Sequence, residues 1–264
     1  MNIAVIQARM ASTRLPGKSL LRIGKHPIIH YVLERAREIS GVEGVVLATS
    51  MNAENDPLAE YAARLGFEFF RGDEDDVIER FYQVALQRRA DTIIRLTGDN
   101  PLIDFHAMGR LLAWHNEREM DYSCMTGFPT GALGDIFSFR ALEESHEKVD
   151  GKALCDHVDL YVLENRHRFK LICWELDTSL SAYRWTVDDA GDLERMRRLE
   201  AAMGAGPARF ERMNTREALE AIGQCGLRQD MQPKLPNVSR ENLYTAELVA
   251  KLEQRESVSL AHME

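Results

Sequence analysis

Cysteine is scarce in this chain: four in 264 residues, at Cys124, Cys155, Cys173 and Cys225, with no C-x-x-C pair among them. Such spacing argues against a cysteine zinc site and against a disulfide framework, and it fits thiols that stay reduced and packed. Long apolar runs are also missing, since no stretch approaches the roughly 20 consecutive apolar residues that cross a bilayer. The opening MNIAVIQAR lacks the positive n-region and cleavage site of a signal peptide, so the expectation is a cytoplasmic protein without membrane insertion. Overall positive charge is absent too. A formal net charge of −9 argues against nucleic acid or an acidic membrane as partner, because both select a broad basic face. No internal repeat is present. What remains is an ordinary globular composition, 45% hydrophobic, long enough for a sizeable core.

One local absence reverses the charge balance. From Met1 to Leu33 there is no Asp or Glu, while Arg9, Arg14, Lys18, Arg22 and Lys25 make the segment +5 and leave −14 for the remainder. The apolar run Ile3 to Ile6 reads as a buried strand that stops in a loop carrying Arg9, Arg14 and Lys18. A cationic loop at a strand's carboxyl end suits a small, strongly anionic ligand such as a polyphosphate. The competing reading is a solvated basic loop.

Apolar periodicity then alternates. Helices are expected from Pro27 to about Ser40, from Pro57 to Gly66, over Val77 to Ala85 and over Phe105 to Leu112, with strands at Val45 to Ala48, Phe67 to Phe70 and Thr92 to Leu96 between them. Strict β, α alternation predicts an α/β fold, a mostly parallel sheet with helices on both faces. From Tyr122 the pattern loosens. A Gly-rich passage, Gly127 to Gly134, leads to a strand at Ile136 to Phe139, helices near Ala141 to His146 and Leu154 to Asn165, and strands at Phe169 to Leu176 and Arg184 to Val187. Leu193, Met196, Leu199 and Met203 mark another helix, and Thr215 to Gln224 a further one, before a polar tail whose last ten residues read as unstructured. The expected organisation is a catalytic body over 1–204, with a nucleotide half to about 120 and an acceptor half beyond it, followed by a helical extension and tail over 205–264.

Ser12 to Ser19, STRLPGKS, is one glycine short of a Walker A loop. A P-loop must run straight into a long helix, whereas Pro16, Gly24 and Pro27 interrupt this one. The better reading is an extended loop that wraps a triphosphate with backbone N–H groups near Met10 to Thr13, while Arg9, Arg14 and Lys18 neutralise its oxygens. Polyphosphate chemistry also needs a hard cation on oxygen ligands, and Asp99 and Asp188 each follow a buried-type strand directly. Their simpler readings are a turn residue for Asp99 and a helix N-cap, reinforced by Asp192, for Asp188.

These residues carry a resemblance. The phrase Ala8 to Lys18, ARMASTRLPGK, is similar to the N-terminal signature of the CMP-sugar synthetases, including CMP-Kdo synthetases, and above all to the SpsF-like cytidylyltransferases of surface-polysaccharide pathways. The likeness continues at Arg71-Gly72, Asp75-Asp76-Val77, Arg95 to Asp99, Pro101 to Asp104 and Arg184 to Asp188, so it spans roughly residues 1 to 200. It implies a GT-A-like Rossmannoid nucleotidyltransferase fold, Mg2+ on Asp99 and Asp188, a homodimer, and transfer of CMP from CTP to a small sugar-like acceptor with loss of pyrophosphate. Arg9, Arg14, Lys18 and Asp99 would carry catalysis. The nucleotide would lie against Ala8, Met10, Ser12, Thr13, Gly72, Thr97 and Gly98, with Ala8, Met10 and the Gly72 to Asp76 turn selecting the base. Asn100, His157 and Arg184 would face the acceptor.

The acceptor half departs from the family. Relatives typically carry P-x-G-L-D-V-E and later R-E-H-V-T, where this chain has Pro129 to Asp135, PTGALGD, and Cys155 to Asp159, CDHVD. His157 keeps its place while the basic residue before it does not, which removes the expected arginine clamp for an acceptor carboxylate. His157 is either an acceptor ligand or base, or a packed histidine. A glycosyltransferase-like protein, a nucleotidyltransferase with a non-sugar acceptor, and a non-catalytic nucleotide sensor are the alternatives the sequence leaves open.

Overall fold

The computed structural model describes residues 1–149, 158–177, 179–203, 207–227, 255–259 and 263. In chain order these form β1 (Asn2–Gln7), a hairpin of β2 (Arg22–Ile23) and β3 (His26–Pro27), α1 (Ile28–Arg37), β4 (Gly44–Ser50), α2 (Asp56–Arg64), β5 (Glu68–Gly72), α3 (Val77–Arg88), β6 (Thr92–Thr97) and α4 (Phe105–Glu117). The second half adds β7 (Tyr122–Thr126), β8 (Asp135–Ser138), α5 (Phe139–Lys148), α6 (Leu160–Glu164), β9 (Leu171–Leu176), α7 (Ala190–Ala202), α8 (Pro207–Arg212), α9 (Thr215–Gln224) and β10 (Arg255–Val258).

Eight strands make one sheet in the order β10-β9-β7-β8-β6-β1-β4-β5. Only β8 runs against its neighbours, pairing antiparallel with β6 and β7. Central β1 shows why the sheet needs cover on both sides: Ala4 and Ile6 face one apolar cluster, Ile3 and Val5 the other, and all four are fully buried. Residues of α1, α2, α4, α7 and α9 fill the first layer, and residues of α3, α5 and α6 the second. Each buried Ile or Val of this strand is worth about 1.5–3 kcal/mol.

Side-chain caps set the helix starts. Asp76 accepts from the Glu79 N–H at 2.9 Å and Asp104 from the Ala107 N–H at 3.0 Å. Asp104 also accepts the Thr215 N–H at 2.8 Å, which joins the start of α9 to the start of α4. Arg35, fully buried on α1, donates to the carbonyls of Ile103, Met213 and Phe210 and so holds the α8–α9 segment to the body.

Three local expectations need correction. Arg184 to Val187 is not a strand of the sheet; its Trp185 N–H donates to the Thr130 carbonyl of the glycine-rich passage at 2.8 Å and its Val187 N–H to the Asp99 carbonyl, beyond the end of β6, at 2.9 Å. Tyr122 to Thr126, where the pattern loosened, is strand β7. The last ten residues include β10, whose Val258 is buried and which covers the outer edge of β9 in parallel register. Of the helix expected over 154–165, residues 154–157 lie outside the described set, 158–159 form a turn, and α6 runs over Leu160–Glu164.

Candidate active site

The site forms where β1 and β6 end side by side, Gln7 in register with Thr97. There the Gly98 N–H donates to the Gln7 carbonyl at 2.8 Å. A Cβ on Gly98 would meet the Ala8 Cβ at 2.5 Å, so only glycine lets the two strand ends close this tightly. Beyond β1 the chain folds back on itself. Met10 accepts both the Ser12 N–H at 2.9 Å and the Gly17 N–H at 3.0 Å, and Gly17 turns at φ 69° to deliver Lys18 into the cleft.

A cleft of about 350 Å³ results, lined by Ala8, Arg9, Ser12, Thr13, Arg14, Lys18, Thr97, Gly98, Asp99 and Asp188 of the residues expected from the sequence. Lys18 lies at its centre. Its Nζ donates to Asp99 Oδ2 at 2.6 Å and to Asp188 Oδ1 at 3.2 Å, and Arg14 donates to the same Asp188 oxygen at 2.8 Å. Asp188 Oδ2 accepts from Thr186 Oγ1 at 3.1 Å and pairs with Arg184. Burial pulls the Lys18 ammonium pKa down, but Asp99 and Asp188 more than offset it and leave the value raised. Burial pushes the Asp188 carboxyl up, yet Lys18, Arg184 and Arg14 together hold it below the usual range. Both groups therefore stay charged at neutral pH.

Asp188 is not the helix cap. That role belongs to Asp189, whose side chain accepts the Asp192 N–H at 2.8 Å in a capping box at the start of α7. Asp192 in turn accepts the Asp188 N–H at 2.8 Å, which leaves the Asp188 carboxylate to the cleft. The Walker-type alternative also has no support in the geometry, because Lys18 opens a single 3-10 turn, Lys18–Leu20, that runs into the β2–β3 hairpin and not into a long helix.

Other expected residues are placed differently. The Met10 N–H is bonded to Asn55 Oδ1 at 2.8 Å and the Ser12 N–H to the Met10 carbonyl, so the loop's own folding uses two of the backbone donors expected to face phosphate. Gly72 lies outside the cleft lining, its carbonyl accepting the Met51 N–H at 2.9 Å. Arg9 reaches Glu74 of the acidic turn at 3.4 Å. Asn100 is buried behind Thr97, to whose Oγ1 it donates at 2.6 Å, and Arg184 stands behind Asp188. His157 lies outside the described residues.

Three contributors had gone unnoticed. Arg80 lines the cleft although only 3% exposed, and it donates to the Asp73 and Glu74 carbonyls, shaping the acidic turn. Its signal was a cation on the Val77, Phe81, Val84 stripe of α3, where an apolar residue belongs. Asn55, fully buried, holds the loop through Met10; nothing in its sequence surroundings marks it. Gln7 brings to the cleft a buried carboxamide oxygen with no hydrogen-bond partner among the described residues.

A family model described as Cytidylyltransferase matches residues 3–183. The chain belongs to the cytidylyltransferase family. The spore coat polysaccharide biosynthesis protein SpsF of Bacillus subtilis is 31% identical over 218 residues, covering 77% of this chain and 88% of its own. The 3-deoxy-manno-octulosonate cytidylyltransferase of Escherichia coli is 39% identical over 104 residues, 38% of this chain and 40% of that one. Among solved structures, a cytidylyltransferase from Leptospira borgpetersenii superposes with a TM-score of 0.78 at 28% identity, covering 89% of this chain and 98% of that one. Among the described residues of this cytidylyltransferase-family chain, no helix is long and apolar enough to cross a membrane.

Proposed function

We propose that this chain is a magnesium-dependent enzyme that transfers CMP from CTP to a sugar or sugar-acid acceptor, releasing pyrophosphate, in the assembly of a surface polysaccharide. The observation that carries the reading is the meeting of Arg14, Lys18, Asp99 and Asp188 in one cleft from three distant parts of the chain. The names of the Bacillus and Escherichia relatives favour the CMP-sugar product.

The donor set fits magnesium. Two carboxylates already share one cation, Lys18, and Asp99 and Asp188 would offer the oxygen ligands that a hard dication takes. Bound there, the ion would offset charge on the triphosphate and orient it. The chain's own groups do the rest. An acceptor hydroxyl oxygen attacks the α-phosphorus of CTP and gives up its proton to solvent, the bond to the β-phosphate breaks, and Arg9, Arg14 and Lys18 stabilise the charge gathering on the departing pyrophosphate. Gln7 offers its carboxamide oxygen to a donor group on the nucleotide. Asn100, Arg184 and His157 are assigned to the acceptor side, and homodimeric assembly belongs to the same reading, which sedimentation equilibrium tests.

The decisive experiment measures pyrophosphate release with each of the four nucleoside triphosphates, magnesium, and a panel of acidic and neutral sugars. Release is expected with CTP and one acceptor class, and it disappears in Asp99→Ala with the circular dichroism unchanged. CTP binding without turnover across the whole panel overturns the enzyme in favour of a nucleotide sensor.

A further inference from the structure

Away from the cleft, three side chains of metal-binding type converge among the described residues: His26 from β3, His30 from the first turn of α1 and Glu211 from α8. Glu211 Oε1 lies 3.2 Å from His30 Nε2 and 3.8 Å from His26 Nε2, and the three ligand atoms fall within 4.8 Å of one another. A tetrahedral ion with bonds of about 2.0–2.1 Å sets its ligand atoms about 3.3 Å apart, so the two carboxylate separations already approach the required spacing. Binding requires the His26 side chain, 34% exposed, to move closer to the other two ligands.

Two further observations point to a ligand set. The imidazoles stack face to face, centroids 3.9 Å apart at 14°, with both Nε2 atoms turned toward one carboxylate oxygen. His30 Nδ1 lies 3.3 Å from Tyr61 Oη, the kind of second contact that orients a metal-bound imidazole and leaves Nε2 to the ion.

We propose that His26, His30 and Glu211 bind a transition-metal dication of the zinc class, fastening α8 to the β2–β3 hairpin that continues the cationic loop. Imidazole nitrogens select zinc-like ions over magnesium, which keeps this site chemically distinct from the Asp99–Asp188 pair. The three protein ligands leave a fourth position for water. Its role is to staple: α8 comes from near the far end of the chain, and the hairpin follows Lys18 within a few residues.

The test uses the full untagged chain, stripped with a chelator and titrated with zinc chloride by calorimetry, with cobalt(II) as an optical probe of tetrahedral nitrogen–oxygen ligation. One equivalent is expected to bind and to raise the melting temperature. His26→Gln and Glu211→Gln are each expected to weaken binding by about 100-fold or more and to abolish the thermal shift. Asp99→Asn is expected to bind zinc as the parent does, and excess magnesium is expected not to displace it. Absence of binding, displacement by magnesium, or undiminished binding in His26→Gln overturns the proposal. Should Glu211→Gln fail to fold, His26→Gln, at the edge of a two-residue strand, decides alone.

Discussion

Lys18 and Asp188 meet at 3.2 Å across 170 residues of chain, with side chains only 15% and 14% exposed. Asp99 completes the contact from the end of β6, so the ammonium ties the loop after β1 to the end of β6 and to the segment before α7. Removing one member of a buried ion cluster costs more than the cluster contributes, because the partners are left uncompensated.

Lys18→Met leaves two carboxylates facing each other. Pyrophosphate release is expected to fall by about 10²–10³, and urea unfolding to show a loss of about 1–3 kcal/mol. A variant with the parent's turnover removes Lys18 from the mechanism.

Neighbouring aspartates separate cap from cleft. Asp189→Ala breaks the capping box of α7 and is expected to cost about 0.5–2 kcal/mol in stability with kcat little changed. Asp188→Asn reverses the pattern, with kcat falling steeply and the magnesium concentration needed for half activity rising. Equal effects on both quantities in the two variants contradict this division.

Arg35→Met tests the anchoring of the C-terminal helices. Burial pushes the Arg35 pKa down to about 10, and the guanidinium still serves three carbonyls inside the core. Leaving those acceptors unpaired is expected to cost about 3–5 kcal/mol. Hydrogen exchange is expected to rise first in α9, and a variant as stable as the parent refutes the anchor.

His115 sets a pH dependence of stability. Burial lowers its pKa from the usual value to about 4, and its ring Nδ1 lies 2.8 Å from Ser123 Oγ. The unfolded chain therefore binds the extra proton between about pH 6.5 and 4, so stability falls as pH drops through that window and is level above it. The full difference is about 3 kcal/mol. His115→Gln is expected to flatten this part of a pH series of denaturant midpoints relative to the parent, and an unchanged slope excludes His115 as its source.

The first half of the fold was legible because parallel strands buried on both faces write themselves as apolar runs, and helices on them as stripes such as Val77, Phe81, Val84. Arg184 to Val187 misled for the same reason: Trp185 and Val187 are buried, but against a loop, and an apolar run does not say what pairs with its backbone. β7 was missed because its five residues, Tyr122–Thr126, interleave Ser123, Cys124 and Thr126 with the apolar positions. β10 was missed because Arg255–Val258 is a polar edge strand in a charged tail. In the cleft, charge contrast marked Arg14 and Lys18, and strand ends marked Asp99 and Asp188. Nothing local marked Asn55, whose importance lies in a hydrogen bond to Met10 across 45 residues.

Alone, the order of residues determined the α/β alternation, the cationic loop and the family motifs, since each depends on neighbours along the chain and on period. Tertiary structure decided which of two adjacent aspartates serves the cleft and which caps a helix. It also decided which cations are held inside the protein, and that His26 and His30 meet Glu211. Those outcomes depend on backbone direction and on distances between segments up to 185 residues apart, as from His26 to Glu211, which no local pattern encodes.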